Sequence, residues 1–471
     1  MARSAGSRVP GAAHLPVYSL PLPSDARLRL ASGWFWLALV SLAVSGVFSV
    51  LLVLSRMPWT NDWFPAEDFF RVALVVHVDL SVLVWFAAFG GMLWSLNSTP
   101  RLGTLGWIAL GTAIGGSALM SVAPFAGAGR PIMANYIPVL DQPVFLAGLL
   151  VFAAGLALAV LRGMLVVPRV GLALGGDGAL RFGLNTSLVS AAVALIAFGW
   201  SYLEVPGAID PKAYYEALFW GGGHVLQFTW TLLMFVAWLW LGEAARAPVP
   251  LSARMVTLLF GIGLASVFLT PVIYLAYDVG TVEHHRWHTW LMRFGGGLAI
   301  LPFMLAAMLG LARAPRANER QGALRAAILA SLVLFGAGGV IGVLIQGSNV
   351  KIPAHYHGSI VGVTLAFMGL AYHLLPQLGY GEVRGKLAAS QLWLYAGGQL
   401  LHVLGLVWSG GYGVQRKVAG AAQALRSPEE IAAMGLMGLG GLIAVIGGLM
   451  FLVLVFRAMW RSAHRAELAH G

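Results

Sequence analysis

The segment HYHGSIVGV, residues 355–363, places two histidines at the start of a long apolar run. Polar side chains at membrane depth are energetically costly, so they usually mark a functional site. Successive residues of a helix are offset by about 100°, so His355 and His357 point to nearly opposite faces. One helix with this spacing can therefore bind two different centres, one on each side.

The apolar run after His357 is one of twelve such segments, each near the length of about 20 residues that a helix needs to cross a bilayer. They lie near 33–55, 69–96, 104–125, 142–163, 183–203, 213–243, 254–278, 287–312, 322–345, 355–378, 389–411 and 432–458. The gaps between them are short and hold most of the proline and charge. We therefore predict an all-α polytopic membrane protein, with twelve transmembrane helices in residues 33–458 between tails at residues 1–32 and 459–471.

The composition agrees with a membrane protein and excludes several other classes. Of 471 residues, 59% are hydrophobic and 10% are charged, which fits neither an ordinary soluble domain nor a disordered chain. The sequence contains no cysteine, which excludes disulfides, covalently attached haem c and a thiolate-bridged dicopper centre in this chain. The net charge of +11 is typical of basic cytoplasmic loops, and we expect no nucleic-acid partner.

The basic residues predict the orientation of the helices. With both termini in the cytoplasm, that side receives 19 of the 29 lysines and arginines and the other side receives 10. Cytoplasmic loops of membrane proteins carry such an excess. We expect both termini to be cytoplasmic.

Six of the twelve histidines fall at similar depth, near the outer ends of the predicted helices: His77, His224, His284, His285, His355 and His357. Neutral imidazole is the commonest nitrogen ligand for copper, iron and haem. The sequence EHH at 283–285 offers two adjacent imidazoles, and His224 supplies a third. The six residues together predict a metal cluster, whereas His288 fits a capping or supporting role, and His373 and His402 fit packing.

These stretches resemble, in order, the motifs of the catalytic subunit I of the haem–copper oxidase superfamily, which includes oxygen reductases and nitric oxide reductases. The similar stretches are HVDLSVLVWFAAFGGMLW at 77–94, DPKAYYEALFWGGGHVLQF at 210–228, VEHHRWH at 282–288 and HYHGSIVGV at 355–363. The resemblance covers nearly all twelve predicted helices. It implies two haems, with b-type favoured, and one non-haem metal that is copper or iron.

The resemblance also implies a role for each histidine and for two basic residues. It makes His77 and His357 the ligands of a low-spin haem, His355 the ligand of a high-spin haem, and His224, His284 and His285 the ligands of the non-haem metal. It places Arg416 and Lys417, in the stretch QRKVAG, against haem propionates.

The sequence departs from the common oxygen reductase motif just after His224. That motif continues with Pro, Glu, Val and Tyr, whereas this chain has Val225, Leu226, Gln227 and Phe228. Leu226 replaces a carboxylate that loads protons, and Phe228 replaces the phenol that takes part in splitting the O–O bond. A phenylalanine cannot replace that phenol because it has no ionisable group.

Five other residues keep both substrates open. Tyr277, or Tyr274, is a candidate phenol for oxygen reduction, because C-type oxygen reductases supply this tyrosine from the seventh helix. Asp278 or Glu283 is a candidate carboxylate beside the metal, as in nitric oxide reductases. Gln227 lies about one turn from His224 and can hydrogen-bond in the site.

The favoured function is a nitric oxide reductase, in which two NO molecules, two electrons and two protons give N2O and water. The alternative is a cytochrome c or quinol oxidase that reduces O2 to water, and a secondary transporter is a remote third. Electrons must come from a second subunit, with a dicopper or cytochrome c type centre, or from quinol, because this chain has no cysteine. The expected location is the lipid of a bacterial inner (plasma) membrane.

Overall fold

A computed structural model describes residues 16–54, 63, 69–127, 129–171, 174–347, 349–383, 385–416, 425 and 427–470, apart from the side chains at 53 and 462–470. Lys417 lies outside the described residues. Helices account for most of the described chain. They are α1 Ala26–Leu54, α2 Phe69–Val78, α3 Trp85–Leu96, α4 Gly103–Val122, α5 Pro143–Val166, α6 Gly176–Glu204, α7 Pro211–Ala244, α8 Ala253–Val267, α9 Leu269–Ala276, α10 Val282–Gly295, α11 Gly297–Ala312, α12 Glu319–Val343, α13 Lys351–Leu374, α14 Lys386–Gly411 and α15 Pro428–His470.

The helices confirm the predicted fold class. Among the described residues, eleven helical stretches are long and apolar enough to cross a membrane. The helix α14 also has the required length, with 26 residues, but it carries Gln391, Gln399 and His402 among its apolar side chains. In chain order these twelve stretches match the twelve segments predicted from hydropathy.

Three of the predicted helices are interrupted in the structure. A π-helical turn, Asp79–Val84, joins α2 to α3 directly after His77. The helix α8 ends at Val267, before α9, and α10 ends at Gly295, before α11. Turns of π-helix often occur at functional sites, and this one begins two residues from a predicted haem ligand.

The start of α10 differs from the sequence prediction. We predicted the eighth apolar segment from residue 287, with His284 and His285 before it, whereas α10 begins at Val282. The Thr281 hydroxyl accepts a hydrogen bond from the His284 backbone N–H at 3.2 Å and caps the helix. Both histidines therefore lie in the first turn of α10, and their directions are fixed by helix geometry.

A short β-hairpin between α4 and α5 was not predicted from hydropathy. Strand β1, Arg130–Ile132, pairs antiparallel with β2, Val139–Asp141, and Ile132 lies opposite Val139. The hairpin contacts α2 and α7. We call residues 133–138 the hairpin loop, and the end of the bundle that carries it the hairpin end.

Burial ranks the helices from the centre of the bundle outward. In the apolar 18-residue part of each stretch, the buried share of residues is 94% for Pro211–Ala244, 83% for Lys351–Leu378 and 72% for Phe69–Leu96. It is 33% for the outer stretch Pro143–Val166. The three innermost stretches carry His224, His355 and His357, and His77. The outer helices expose large apolar side chains, as expected for surfaces that face lipid.

Glycines allow several helix pairs to approach backbone to backbone. At the crossing of α14 and α15, a Cβ on Gly398 would lie 2.8 Å from the Gly440 carbonyl oxygen and against the Ala444 backbone nitrogen. Small residues at such crossings supply the van der Waals contact that holds membrane helices together. The packing of α14 therefore depends on the absence of a side chain at Gly398.

We predict that Gly398→Ala destabilises the bundle by about 1–3 kcal/mol, because the added methyl group overpacks a backbone contact. Gly397→Ala is the matched control, since no atom lies within 4 Å of a Cβ added there. Thermal unfolding of both variants in the same detergent measures the difference. Equal stability of the two variants would contradict this account of the α14–α15 crossing.

Candidate metal and haem site

His77 lies at the end of α2 and is held by α1. Its Nδ1 lies 2.9 Å from the Ser45 hydroxyl, 3.0 Å from the Ser49 hydroxyl and 3.0 Å from the Ser45 carbonyl oxygen. A carbonyl oxygen only accepts, so the bond to Ser45 assigns the ring proton to Nδ1. The Nε2 lone pair of His77 is then available to an iron atom, as in most metal-bound histidines.

His357 lies on α13, where it faces α2 and α14. His77 is close enough to His357 to interact with it electrostatically, and the His402 ring of α14 lies 4.7 Å from the His357 ring. The structure therefore brings His77 and His357, the two predicted ligands of the low-spin haem, to facing helices. Their ligation of one iron stays a prediction.

His355 is held from α12, on another side of α13. Its Nδ1 donates to the Gly338 carbonyl oxygen at 2.7 Å, which leaves Nε2 free. A Cβ on Gly342 would lie 2.6 Å from this Nδ1, so the glycine provides the space in which the ring lies. His355 would therefore have one ring nitrogen to offer to a haem iron.

His224 is buried in the middle of the innermost helix, α7. Its Nδ1 donates to the Trp220 carbonyl oxygen one turn earlier, at 2.7 Å. Its Nε2 lies 2.9 Å from the hydroxyl of Tyr136, which comes from the hairpin loop. Burial, and then the nearby Glu216 carboxylate, raise the pKa of Tyr136, so the hydroxyl keeps its proton and donates to Nε2.

His284 and His288 lie one turn apart on α10 and face α7. Their ring centroids are 4.5 Å apart, and the His288 ring is 6.0 Å from that of His224. Both side chains are fully buried, yet both ring nitrogens of His284 and the Nε2 of His288 have no hydrogen-bond partner. Buried polar atoms without partners are rare, and imidazole nitrogens of this kind are suitable donors for a metal ion.

His285 points to a different neighbour. Its Nδ1 contacts the Thr281 carbonyl oxygen at 3.0 Å, and its ring lies 4.7 Å from Trp220 and 6.1 Å from His284. Across the described part of the chain, no three histidine, aspartate or glutamate side chains stand close enough together to hold a metal ion. His224, His284, His285 and His288 therefore form a neighbourhood of donors whose final ligand set stays a prediction.

The candidate carboxylates lie at the surface, and Tyr277 packs on a tryptophan. Asp278 and Glu283 are exposed. Tyr277 stacks on Trp287, with ring centroids 6.3 Å apart. These three positions give no geometric support for a carboxylate ligand or for a phenol from residue 277.

Tyr274 and Gln227 lie nearer. The Tyr274 ring is 4.8 Å from His284 and 5.5 Å from His288, but its hydroxyl contacts the Ser201 hydroxyl at 2.7 Å and the Ala197 carbonyl oxygen at 3.1 Å. Gln227 is partly exposed in a helix whose neighbouring side chains are buried. It therefore borders internal space about one turn from His224.

Arg416 lies at the hairpin end, beside the histidine-bearing start of α13. Its Nη1 donates to the Asn135 Oδ1 at 3.1 Å, and its charge influences Tyr356, the residue between His355 and His357. A cation at this position suits the carboxylates of a bound haem. Its contact with a propionate stays a prediction.

Sequence reasoning missed Tyr136 and the hairpin loop that carries it. The three glycines before His224 were the available signal: a Cβ on Gly221 would clash with Tyr274, one on Gly222 would lie 2.5 Å from Phe198, and one on Gly223 would clash with Tyr136. Three consecutive glycines inside a membrane helix mark a place where rings pack directly on its backbone. The sequence does not identify which rings these are.

Comparison with known proteins places the chain in a family. The profile of "Cytochrome C and Quinol oxidase polypeptide I" matches residues 29–450. The chain is 28% identical over 500 residues to an uncharacterized protein of Rickettsia prowazekii, with 92% of this chain and 96% of that protein covered. It is 26% identical over 145 residues to the cytochrome c oxidase subunit 1 of Thermus thermophilus, with 29% of this chain and 26% of that protein covered.

The fold is also similar to that of a solved structure. A cryo-EM structure of a heme-copper terminal oxidase dimer has a TM-score of 0.67 at 18% identity, and the match covers 93% of this chain and 84% of that chain. The chain belongs to the cytochrome c and quinol oxidase polypeptide I family, the subunit I family of the haem–copper oxidases. It is therefore a multi-pass membrane oxidoreductase subunit, and the family resemblance read from the sequence is confirmed.

Membership implies haems and a non-haem metal, and the described residues fit them. His77 and His355 each keep one ring nitrogen on a main-chain carbonyl and leave the other free. His284 and His288 hold buried nitrogens without partners. The donor chemistry of these histidines therefore fits the haems and the non-haem metal that the family implies.

We predict that His224→Ala and His284→Ala lose the non-haem metal while both haems remain, because the predicted haem ligands lie on α2 and α13. The pair His285→Ala and His288→Ala then identifies the third donor. Loss of metal only in His285→Ala supports His224, His284 and His285 as the ligands, as the family resemblance implies. Loss only in His288→Ala supports His288 as the third ligand instead. Metal analysis and the reduced haem α-band measure these outcomes, and full metal content in all four variants would refute the site.

Proposed function

We propose that this chain is the catalytic subunit of a respiratory terminal reductase, and that its substrate is nitric oxide. The observation that supports this choice is the distribution of polar groups around His224. Hydrogen-bonded polar side chains reach His224 from the hairpin end, whereas Leu226 and Phe228, two and four residues further along α7, are buried and apolar. Protons therefore have a polar connection to the metal site on the side of the hairpin.

The polar connection follows one face of α7. Glu216, Trp220 and His224 are spaced four residues apart, so they lie on the same face of the helix. The Glu216 carboxylate accepts from the Asn135 backbone N–H at 2.8 Å and from the Asn135 side-chain amide. The next residue, Tyr136, donates to His224, so the hairpin loop links a carboxylate at the hairpin end to a metal ligand.

Nitric oxide reduction suits this arrangement because it consumes two protons and needs no phenol to split an O–O bond. The haems and the non-haem metal, when bound, would supply electrons and a second binding point for the gas. The chain's own residues orient the imidazoles, exclude water with apolar helix walls and carry protons from Glu216. Glu204 and Asp210, also near this end, are engaged elsewhere: Glu204 accepts from Trp200 and Asp210 caps α7.

The proposal includes the location and the partner. Both termini lie in the cytoplasm of a bacterium whose inner membrane holds residues 33–458, and the hairpin end faces outward. Electrons arrive at that face from a second subunit, with a dicopper or cytochrome c type centre, or from quinol. Arg416 and the hairpin loop lie at that end.

A specific observation also favours the second candidate, a cytochrome c or quinol oxidase that reduces O2. Two phenols, Tyr136 and Tyr274, lie beside the candidate metal ligands, and oxygen reduction uses a phenol near the metal. Reduction of O2 should therefore require one of these hydroxyls, whereas reduction of NO should not.

We predict that the reduced protein converts NO to N2O faster than it consumes O2, and that Tyr274→Phe keeps at least half of the NO turnover. Gas electrodes with NO or O2 as sole acceptor measure both rates. Sustained O2 turnover that exceeds the NO rate and is abolished by Tyr136→Phe or Tyr274→Phe would establish the oxidase instead. Asp278→Asn, at an exposed carboxylate, is the control and should change neither rate.

We predict that Glu216→Gln lowers NO turnover about tenfold or more, because positioned proton donors typically contribute at least that much. Glu243→Gln, near the opposite end of α7, is the matched control. In sealed vesicles, turnover should generate no membrane potential, because electrons and protons enter from the same side. A potential that forms during NO turnover, or full activity in Glu216→Gln, would contradict proton uptake through the hairpin end.

A further inference from the structure

The hydroxyl of Tyr136 lies where the metal bond of His224 would form. Because Nδ1 of His224 donates to the Trp220 carbonyl oxygen, the only lone pair left on the ring is that of Nε2. The Tyr136 hydroxyl oxygen lies 2.9 Å from Nε2, whereas a metal bonded to an imidazole nitrogen lies at about 2.0–2.1 Å. The hydroxyl and a metal ion cannot both occupy this direction.

The packing around Tyr136 holds its ring in this position. The ring lies against Gly223 of α7, where a Cβ would clash with it. It also packs edge-on against Trp220, at 5.8 Å between ring centroids, and lies 4.8 Å from the His224 ring. The backbone N–H of the preceding residue, Asn135, donates to Glu216, which lies about two turns before His224 on α7. The hairpin loop is therefore docked on α7 in a way that aims one hydroxyl at Nε2.

Unpartnered nitrogens nearby belong to the same arrangement. His284 and His288 have buried ring nitrogens without hydrogen-bond partners, but no three donors among the described residues are close enough to hold a metal. His224 is the ring among them whose metal-binding nitrogen is engaged by another side chain. The Tyr136 hydroxyl is therefore paired with the one nitrogen of His224 that could bind a metal.

We propose that Tyr136 is a positioning residue of the non-haem metal site: its hydroxyl occupies the coordination position on His224 until a metal ion displaces it. The hydrogen bond keeps the Nε2 of His224 paired in the metal-free protein, where an unpaired buried nitrogen would be costly. A metal bound by His224 would use the Nε2 lone pair, so the Tyr136 hydroxyl would have to leave that nitrogen. This inference rests on His224 as a metal ligand, which is part of the proposed function.

The test is the metal affinity of Tyr136→Phe in the full-length, haem-loaded protein after the non-haem metal has been removed with a chelator. Cu(I) and Fe(II) are added separately in competition with a colorimetric chelator. Without the hydroxyl the metal has no competitor for Nε2, so we expect affinity to rise about three- to tenfold, the range of one net hydrogen bond. Tyr202→Phe, at an exposed tyrosine of α6, is the matched control and should bind as the unmodified protein does.

An infrared measurement gives a second readout that does not depend on affinity. With ring-labelled tyrosine, adding metal should shift a phenol C–O band in the unmodified protein and in Tyr202→Phe, but not in Tyr136→Phe. Unchanged or weaker metal binding in Tyr136→Phe would overturn the inference, and weaker binding would identify the phenol as a ligand. An absent band shift would also overturn it.

The experiment separates this inference from the proposed function. If His224→Ala keeps its full metal content, then His224 is not a ligand and the proposed site fails. If His224→Ala loses the metal while Tyr136→Phe binds it with unchanged affinity, only the role of Tyr136 fails. The reduced α-bands of both haems confirm in each case that the variant is folded.

Discussion

The pairing of imidazole nitrogens inside an apolar bundle is the constraint on which the rest of this structure depends. A buried polar atom without a partner is costly, and histidine has two such atoms. The chain meets half of this requirement with main-chain carbonyls: Trp220 for His224, Gly338 for His355 and Ser45 for His77. Each carbonyl fixes the ring proton on Nδ1 and leaves the Nε2 lone pair as the nitrogen that a metal could bind.

Helix geometry supplies some of these carbonyls without any long-range contact. His224, His285 and His288 each bond to the carbonyl four residues earlier, which the helix itself places beside the ring. His355 and His77 instead depend on α12 and α1, so their directions require the assembled bundle. Among the predicted ligands, His224 and His285 are therefore oriented by secondary structure, and His355 and His77 by helix packing.

Small and polar residues around His224 determine which side chains pack near this imidazole. Three glycines before His224 allow Tyr274, Phe198 and Tyr136 to pack on the α7 backbone. On the same helix, the hairpin end carries Glu216 and the side below His224 carries Leu226 and Phe228. The bundle is that of the subunit I family. The proposed reduction of NO depends on the side chains that surround the His224 imidazole.

The amino-acid sequence by itself determined the twelve hydrophobic stretches, their order and the six histidines near one end, because hydropathy and helical spacing are local properties that no distant contact has to supply. It also carried the family resemblance, since those motifs are continuous in the chain. The tertiary structure decided the rest: the hairpin loop, the burial of His288 beside His284, and the exposure of Asp278 and Glu283. Tyr136 and His224 are 88 residues apart in the chain, so only the docking of the hairpin on α7 could bring that hydroxyl to that nitrogen.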